Sequence, residues 1–125
     1  MAKKILIIED EADIRELYAQ FLRESSFEVV EAVDGQVGFD LAIRGEWDIL
    51  LLDIMLPKMD GFEILKKLRE SDTFKNKPIV ILTNLDTENI RQKGAALGAN
   101  GYVVKSDVSP HDVLETVQGF FPAEG

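Results

Sequence analysis

The segment WDILLLDIMLP, Trp47–Pro57, places four consecutive apolar residues immediately before an acidic residue, Asp53. A similar order occurs near the N-terminus, where the apolar run Ile5–Ile8 leads directly into the acidic residues Glu9–Glu11. Short apolar runs of this kind are typical of strands that are buried on both faces of a sheet. Two predicted strands therefore end in carboxylates, which raises the question of what those carboxylates bind.

Three further segments also read as short strands, and helical patterns lie between them. The predicted strands are Lys4–Ile8, Glu28–Ala32, Ile49–Asp53, Ile79–Thr83 and Gly101–Val104. Parallel strands need crossover connections, and right-handed crossovers place the connecting helices on the faces of the sheet. The sequence therefore predicts an α/β fold with one five-stranded parallel sheet and helices on both faces.

The first and third helices have the clearest apolar stripes. Residues at helical spacing in the first helix are Ile14, Leu17, Tyr18, Phe21 and Leu22. The third helix is predicted over about Gly61–Glu70, with Asp60 as its N-cap. Its inward-facing residues are Ile64, Leu65 and Leu68. Both stripes predict helices that pack on the sheet.

The second and fourth helices have weaker patterns. The second is predicted around Gln36–Arg44 and stops near Gly45. Its apolar positions are Val37, Leu41 and Ala42. The fourth, about Thr87–Leu97, has few apolar anchors and contains Gly94, so we expect it to be the least stable helix.

The last helix begins with a clear start signal. Ser109 is a favourable N-cap residue, Pro110 follows at the first helical position, and Asp112 completes a capping-box-like pattern. Its inward stripe is Val113, Val117 and Phe120.

Composition limits the functions to consider. The chain has 125 residues, enough for one domain over residues 1–125, and 46% of them are hydrophobic, enough for an ordinary core. The 23 acidic and 14 basic residues give a net charge of −9, which repels nucleic-acid phosphates and anionic membranes. We therefore expect neither direct nucleic-acid binding nor membrane binding.

Cysteine is absent from the sequence, which excludes disulfides, thiolate zinc sites and cysteine nucleophiles. The first apolar run is shorter than the apolar segment of a signal peptide and much shorter than a membrane span. From these features we expect the protein to be soluble and cytoplasmic.

Three carboxylates follow two of the predicted strands. In an open α/β sheet, ligands bind beyond the carboxyl ends of the strands, where Glu9, Asp10 and Asp53 fall. Any one of these acids could instead be a helix cap or a solvated turn residue. A cluster of three would repel itself unless a cation offset the charge. A hard divalent cation such as Mg2+ prefers oxygen ligands and fits such a cluster.

Two further side chains end strands at the same edge of the sheet. Thr83 ends the fourth predicted strand, and Lys105 directly follows the fifth. Taken singly, a threonine here is an ordinary turn residue and a lysine is ordinarily solvated. Together, a hydroxyl and an ammonium group beside a carboxylate cluster can bind phosphoryl oxygens.

These positions occur together in a longer pattern. It comprises the pair Glu9-Asp10, the segment LLLDIMLPKMDG around Asp53, Thr83, and the segment GANGYVVK, which contains Tyr102 and ends at Lys105. Over nearly its whole length, the chain resembles the CheY-like receiver domains of response regulators in two-component signalling. The resemblance implies a doubly wound, flavodoxin-like (βα)5 fold with the strand order 2-1-3-4-5.

The resemblance also implies a role for each matching residue. Asp53 would be the phosphoacceptor and would attack a phosphohistidine of a sensor histidine kinase or phosphotransfer protein. Lys105 and Thr83 would each bind a phosphoryl oxygen. The ligands of Mg2+, for which Mn2+ can substitute, would be Glu9 largely through water, Asp10, Asp53 and the backbone carbonyl of Met55.

The implied function is a phosphorylation-dependent switch and not an enzyme that acts on other molecules. The domain would catalyse its own phosphotransfer and a slow autodephosphorylation, slow because Met55 and Leu85 are apolar where a polar side chain would align water. As Thr83 moves toward the phosphoryl group, Tyr102 would turn inward. This would alter the face of the fourth helix, fifth strand and fifth helix, where a downstream protein would bind.

Two residues depart from the family pattern. The residue after the threonine is commonly small, but here it is Asn84, which either narrows access to the phosphoryl site or hydrogen-bonds within it. The residue after the lysine is commonly a proline in cis linkage, but here it is Ser106. A cis bond before a non-proline residue costs about 2.5–4 kcal/mol. The sequence therefore leaves the conformation of this loop open.

Three other classes fit the sequence less well. A phosphatase of the haloacid-dehalogenase type needs a second acid two residues after the nucleophile, where this chain has Met55. A flavodoxin-like cofactor binder needs a phosphate-binding loop after the first strand, where the segment EDEAD would repel phosphate. The third class is a receiver-like interaction module that is not phosphorylated. It normally lacks part of the acidic, threonine and lysine set, which is complete here, and it is the alternative we retain.

Overall fold

The fold was obtained as a computed structural model, which describes residues 2–85 and 87–121. Five parallel strands form one sheet in the order β2-β1-β3-β4-β5. The strands are β1 (Lys4–Ile8), β2 (Glu28–Ala32), β3 (Ile49–Asp53), β4 (Ile79–Thr83) and β5 (Gly101–Val104). The predicted strand bounds and the expected strand order are both confirmed.

Five helices connect and follow the strands. They are α1 (Ala12–Glu24), α2 (Gly35–Ala42), α3 (Gly61–Arg69), α4 (Glu88–Ala96) and α5 (Pro110–Gln118). A 3₁₀ turn, Lys105–Asp107, lies between β5 and α5. Within the described ranges, the helices are too short or too polar to span a bilayer.

The sheet separates two hydrophobic cores because successive side chains of each strand point to opposite faces. Ile5, Ile7 and Leu51 contribute to the core under α1 and α5. Leu6 and Leu50 contribute to the core on the opposite face, which α2, α3 and α4 cover. The central strands β3 and β4 are buried along their whole length, which explains their unbroken apolar sequences.

The N-caps follow the predicted pattern. The Asp60 carboxylate accepts a hydrogen bond from the backbone N–H of Glu63 at the start of α3. At α5, the backbone N–H of Asp112 donates to the Ser109 hydroxyl oxygen, and the backbone N–H of Ser109 donates to the Asp112 carboxylate, which completes a capping box. Both caps satisfy amide groups that have no partner within the helix.

The predicted inward stripe of α1 was wrong at Leu17, whose side chain is 50% exposed. The helix is rotated so that Arg15, Tyr18, Ala19 and Leu22 are buried. These four residues also fall at i, i+3, i+4 and i+7, so they too form one face of a helix. The sequence pattern did not show which of the two overlapping faces would be buried. The buried arginine is satisfied by hydrogen bonds, which makes this orientation possible.

Val37, one of the apolar positions of the second helix, does not pack inward in α2, because its side chain is 41% exposed. The buried residues of α2 are Gly35, Gly38 and Ala42. Small residues let this helix approach the sheet closely. A Cβ atom at Gly38 would lie 2.6 Å from two atoms of the buried Ile8 side chain. The spacing of large apolar residues could not predict this packing, because the buried residues of α2 are small.

The expectation of few apolar anchors in α4 is confirmed. Within Glu88–Ala96, all of which is described, the buried residue is Gly94, while Ile90 is only partly buried. Fewer buried apolar contacts leave less free energy opposing local opening of this helix than of α3, where Ile64, Leu65 and Leu68 are buried.

The close approach of α2 gives a stability prediction. The Gly38→Ala substitution should lower the free energy of unfolding by about 1–3 kcal/mol, because the added methyl group clashes with Ile8 in the core. The matched control is Val37→Ala on the exposed side of the same helix, which should change stability by less than about 0.5 kcal/mol. Urea denaturation measures both. Equal stabilities for Gly38→Ala and the wild type would contradict the packing described for α2.

Candidate functional site

The carboxyl ends of β1, β3, β4 and β5 bring the predicted site residues together. Asp53 ends β3, Thr83 ends β4, and Lys105 follows β5 in the 3₁₀ turn. Glu9 and Asp10 follow β1, which pairs with β3. Parallel pairing places all of these ends at one edge of the sheet. The expected convergence is therefore observed for every one of these residues.

The Lys105 side chain lies inside the carboxylate cluster, with only 4% of it exposed. Its Nζ atom lies 2.6 Å from Glu9 Oε1 and 3.2 Å from Asp53 Oδ2. It also lies 3.4 Å from Glu11 Oε1, a contact that the sequence analysis did not anticipate. One buried ammonium group thus offsets part of the negative charge on two buried carboxylates.

The carboxylates are held from the backbone as well. The Glu11 backbone N–H donates to Glu9 Oε2 at 3.0 Å, and the Met55 backbone N–H donates to Asp53 Oδ1 at 3.3 Å. The start of α3 packs closely against the backbone of Asp53, since a Cβ atom at Gly61 would lie 2.2 Å from the Asp53 carbonyl oxygen. Glycine is therefore required where α3 begins.

The donor set fits a hard divalent cation. One carboxylate oxygen from each of Glu9, Asp10 and Asp53 lies within 4.8 Å of the others. Asp10 is exposed, so the cluster is open to solvent on one side. Oxygen ligands on an open site suit Mg2+, which keeps several of its waters. The cluster of Glu9, Asp10 and Asp53 could therefore hold a metal ion, and direct coordination by the Met55 carbonyl remains a prediction.

Burial and mutual repulsion alter the ionisation of this cluster. Burial raises the pKa of Glu9 from 4.5 to about 7, and the charge on Asp53 acts in the same direction. Hydrogen bonds from Lys105 and from the Glu11 backbone oppose the shift but do not cancel it. Burial would lower the pKa of Lys105, but its contacts with Glu9 and Asp53 outweigh burial and raise it. Lys105 therefore stays charged throughout the physiological range.

A short relay of hydrogen bonds links Thr83 to Tyr102. The Leu85 backbone N–H donates to the Thr83 hydroxyl oxygen at 3.0 Å. The Tyr102 hydroxyl group donates to the Leu85 carbonyl oxygen. The guanidinium group of Arg91 in α4 lies 4.8 Å from the centroid of the Tyr102 ring. The backbone of Leu85 thus connects the two predicted switch residues, which sequence reasoning could not show.

Arg15 is a second residue that sequence reasoning missed. This arginine of α1 is 8% exposed, and its Nη1 atom donates to the Glu9 carbonyl oxygen at 2.9 Å. Its Nε atom donates to Glu31 on β2 at 3.3 Å. Arg15 therefore fixes the backbone from which the Glu9 side chain reaches the cluster. Arg15 lies three residues before Tyr18 on the same face of α1, and this spacing could have predicted that Arg15 is buried.

The structure also resolves the two departures from the family pattern. Cis peptide bonds are absent from the described part of the chain, so the Lys105–Ser106 bond is trans. The Asn84 side chain accepts a hydrogen bond from the Ser106 backbone N–H at 2.8 Å. The two unusual residues therefore contact each other.

The raised pKa of Glu9 gives a pH prediction for the metal-free protein. Between pH 4.5 and about 7, the folded state keeps a proton on Glu9 that the unfolded state has lost. The contribution of Glu9 to stability is therefore fully present below pH 4.5 and is lost as the pH rises through about 7. Since Lys105 is protonated in both states over this range, it adds no slope.

The Glu9→Gln variant, which cannot titrate, should lack this contribution. Urea denaturation in a chelator at several pH values should show a wild-type stability that falls by about 1–3 kcal/mol relative to Glu9→Gln between pH 5 and pH 8. Parallel curves for the two proteins would contradict the shifted pKa.

Comparisons with known proteins agree with this geometry. The model of the response regulator receiver domain family matches residues 5–118. The transcriptional regulatory protein SrrA of Staphylococcus aureus is 42% identical over 118 residues, which cover 94% of this chain and 47% of SrrA. The chain thus spans about half the length of the curated relatives it matches.

Solved structures show the same likeness. The chemotaxis response regulator CheY4 of Vibrio cholerae superimposes with a TM-score of 0.88 at 32% identity, covering 95% of this chain and 98% of that one. A response regulator protein from Burkholderia multivorans gives a TM-score of 0.83 at 30% identity, covering 100% and 99%. With its sheet order and its cluster of acids, threonine and lysine, the chain belongs to the receiver domain family of two-component response regulators, which act in phosphorylation-dependent signalling.

Proposed function

We propose that Asp53 is the phosphoacceptor and that it receives a phosphoryl group from the phosphohistidine of a sensor histidine kinase or phosphotransfer protein. The observation that carries this proposal is the position of the Asp53 carboxylate. It is buried at the carboxyl edge of the sheet, 3.2 Å from the Lys105 ammonium group and beside two further acids. The Asp53 carboxylate thus has a counter-ion in Lys105 and two acidic neighbours that could hold a metal ion with it.

The chemical step is a displacement at phosphorus. A carboxylate oxygen of Asp53 forms the new P–O bond while the P–N bond to the donor imidazole breaks. The ring nitrogen keeps the electron pair of that bond, so a donor ring that is protonated on its other nitrogen leaves as neutral imidazole. Bound Mg2+ would offset the negative charges of the carboxylates and of the incoming phosphoryl group. The Asp53 Oδ1 atom accepts a hydrogen bond from the Met55 backbone, which fixes the plane of the carboxylate before the donor arrives.

Lys105 would exchange partners during this step. Its ammonium group binds Glu9 and Asp53 in the unphosphorylated protein, and it is long and charged enough to bind a phosphoryl oxygen once Asp53 is modified. The Thr83 hydroxyl group would provide the second contact to the phosphoryl group. Both residues would then contact the same ligand from neighbouring strands, which distinguishes the phosphorylated state from the present one.

We infer that the signal leaves through the face formed by α4, β5 and α5. When Thr83 moves toward the phosphoryl group, the Leu85 amide loses its acceptor, and the hydrogen bond from Tyr102 to the Leu85 carbonyl is disturbed. Tyr102 would then turn inward and change the surface offered to a downstream protein. A net charge of −9 argues against a direct nucleic-acid partner for this domain.

We also propose that autodephosphorylation is slow, because the side chains of Met55 and Leu85 at the edge of the site are apolar. Met55 is 64% exposed and Leu85 is 36% exposed, and neither side chain can orient an attacking water by a useful hydrogen bond. A well-placed polar group typically contributes about 10²-fold or more to such a step. The domain would therefore hold its phosphoryl group for longer than a relative with polar residues at both positions.

Phosphorylation should occur at Asp53 and should require Mg2+. Incubation with acetyl phosphate should add one phosphoryl group to the wild type, and mass spectrometry of peptides should locate it on Asp53. Chelation of Mg2+ should abolish labelling, because the carboxylates then repel the anionic donor. The Asp53→Asn substitution should abolish it because it removes the carboxylate nucleophile. The matched control is the Asp40→Asn variant, in which the changed residue is exposed on α2, and it should be labelled as the wild type is. Labelling that survives in Asp53→Asn would contradict Asp53 as the phosphoacceptor, and a wild type that is not labelled at all would support the alternative, an interaction module that is not phosphorylated.

Thr83 should couple phosphorylation to Tyr102. The Thr83→Ala variant should still be labelled, but it should lose most of the phosphorylation-dependent chemical-shift changes in α4 and β5, because the hydroxyl contact is absent. Thr83→Ser keeps the hydroxyl group and should respond as the wild type does. NMR spectra of the labelled and unlabelled proteins make this comparison. A full response in Thr83→Ala would rule out this residue as the link.

A further inference from the structure

Asn84 and Ser106 form a hydrogen bond between two loops of the candidate site. The Asn84 Oδ1 atom accepts from the Ser106 backbone N–H at 2.8 Å, across a sequence separation of 22 residues. Asn84 directly follows Thr83, and Ser106 directly follows Lys105. The bond therefore joins the two loops next to Thr83 and next to Lys105, whose ammonium group contacts Asp53. We refer to this contact as the Asn84–Ser106 bond.

The position of the Lys105 ammonium group depends on the backbone of its turn. The Lys105 side chain is 4% exposed and fits between Glu9 and Asp53, so it has little freedom to compensate for a shift of its own backbone. That backbone belongs to the short 3₁₀ turn Lys105–Asp107, which contains the trans Lys105–Ser106 peptide. The Asn84 side chain holds this turn from the neighbouring loop.

The two residues can make this contact only as a pair. The donor is the backbone N–H of residue 106, which a proline would lack, and the acceptor is the side-chain carbonyl of residue 84, which alanine or glycine would lack. The Ser106 side chain takes no part in the bond. The two departures from the family pattern are therefore one structural feature.

We propose that Asn84 is a positioning residue, which orients Lys105 toward the phosphoacceptor by holding the Ser106 backbone. The inference rests on the proposed function, since it assigns Asn84 to the reaction at Asp53. It differs from a direct contact between Asn84 and the phosphoryl group, because such a contact would not need the Ser106 N–H. Removing either partner of the bond should therefore have the same effect, and removing both should have no larger effect.

The test compares rates of phosphorylation by acetyl phosphate in five forms of the whole chain: wild type, Asn84→Ala, Ser106→Pro, the double variant and Ser106→Ala. We expect Asn84→Ala and Ser106→Pro each to react about three- to tenfold more slowly, the size expected for one lost hydrogen bond. The double variant should be no slower than either single variant. Ser106→Ala keeps the backbone donor and should react as the wild type does.

Two further measurements separate positioning from loss of folding. The Mg2+ affinity of Asn84→Ala should stay within about twofold of the wild type, because Asn84 touches none of the three clustered carboxylates. Amide hydrogen exchange at Ser106 should be faster in Asn84→Ala than in the wild type, which tests the bond itself even if Ser106→Pro does not fold. A general structural defect would instead weaken Mg2+ binding and lower the melting temperature.

The outcomes are distinct. A wild-type rate in Asn84→Ala, or rate losses that multiply in the double variant, would overturn the inference while leaving phosphorylation of Asp53 established. Unchanged hydrogen exchange at Ser106 in Asn84→Ala would also overturn it. A wild-type chain that is not labelled at Asp53 would overturn the proposed function, and this inference with it.

Discussion

The contacts of the Lys105 ammonium group with Glu9 and Asp53 are the interaction on which the site depends. Two carboxylates are almost fully buried at the ends of neighbouring strands, where each would be costly to ionise alone. One lysine bridges both of them, at 2.6 and 3.2 Å. Because Asp10 lies in the same cluster, three acidic residues face one buried cation, which offsets only part of their charge. The resting protein therefore keeps a site with excess negative charge, which favours a divalent cation over an anion as its first ligand.

This charge arrangement is a consequence of the parallel sheet. Because β1, β3 and β4 all run in the same direction, their carboxyl ends meet at one edge of the sheet. A polar residue that follows an apolar strand therefore lies at this edge. Sequence alone was enough to predict the strands and the convergence of Glu9, Asp53 and Thr83, since both follow from apolar runs and a fixed topology. The strand order itself followed only from the resemblance to a family.

The features that could not be predicted depend on tertiary contacts rather than on periodicity. Leu17 was assigned inward because apolar spacing ignores a charged residue on the competing face, whereas Arg15 is buried there because Glu31 and the Glu9 carbonyl satisfy it. The buried face of α2 was not predicted, because Gly35 and Gly38 carry no signal in an apolar pattern. The Asn84–Ser106 bond joins residues that are 22 positions apart, and its donor is a backbone amide, which no residue type reveals.

The weak attachment of α4 determines where a change at Thr83 can spread. The Thr83 hydroxyl, the Leu85 peptide and the Tyr102 hydroxyl form one chain of hydrogen bonds, and Arg91 of α4 lies over the Tyr102 ring. On the other side of the site, Arg15 and the buried stripe of α1 hold the β1–α1 loop to β2.

A contact that changes between two states shifts the element with the smallest opposing free energy. Since Gly94 is the buried residue of α4 while α3 buries three apolar side chains, that element is α4 and not α3. Under the proposed function, the shape of the α4–β5–α5 face would therefore respond to phosphorylation, while the side of the site that carries Glu9 and Asp10 stays fixed.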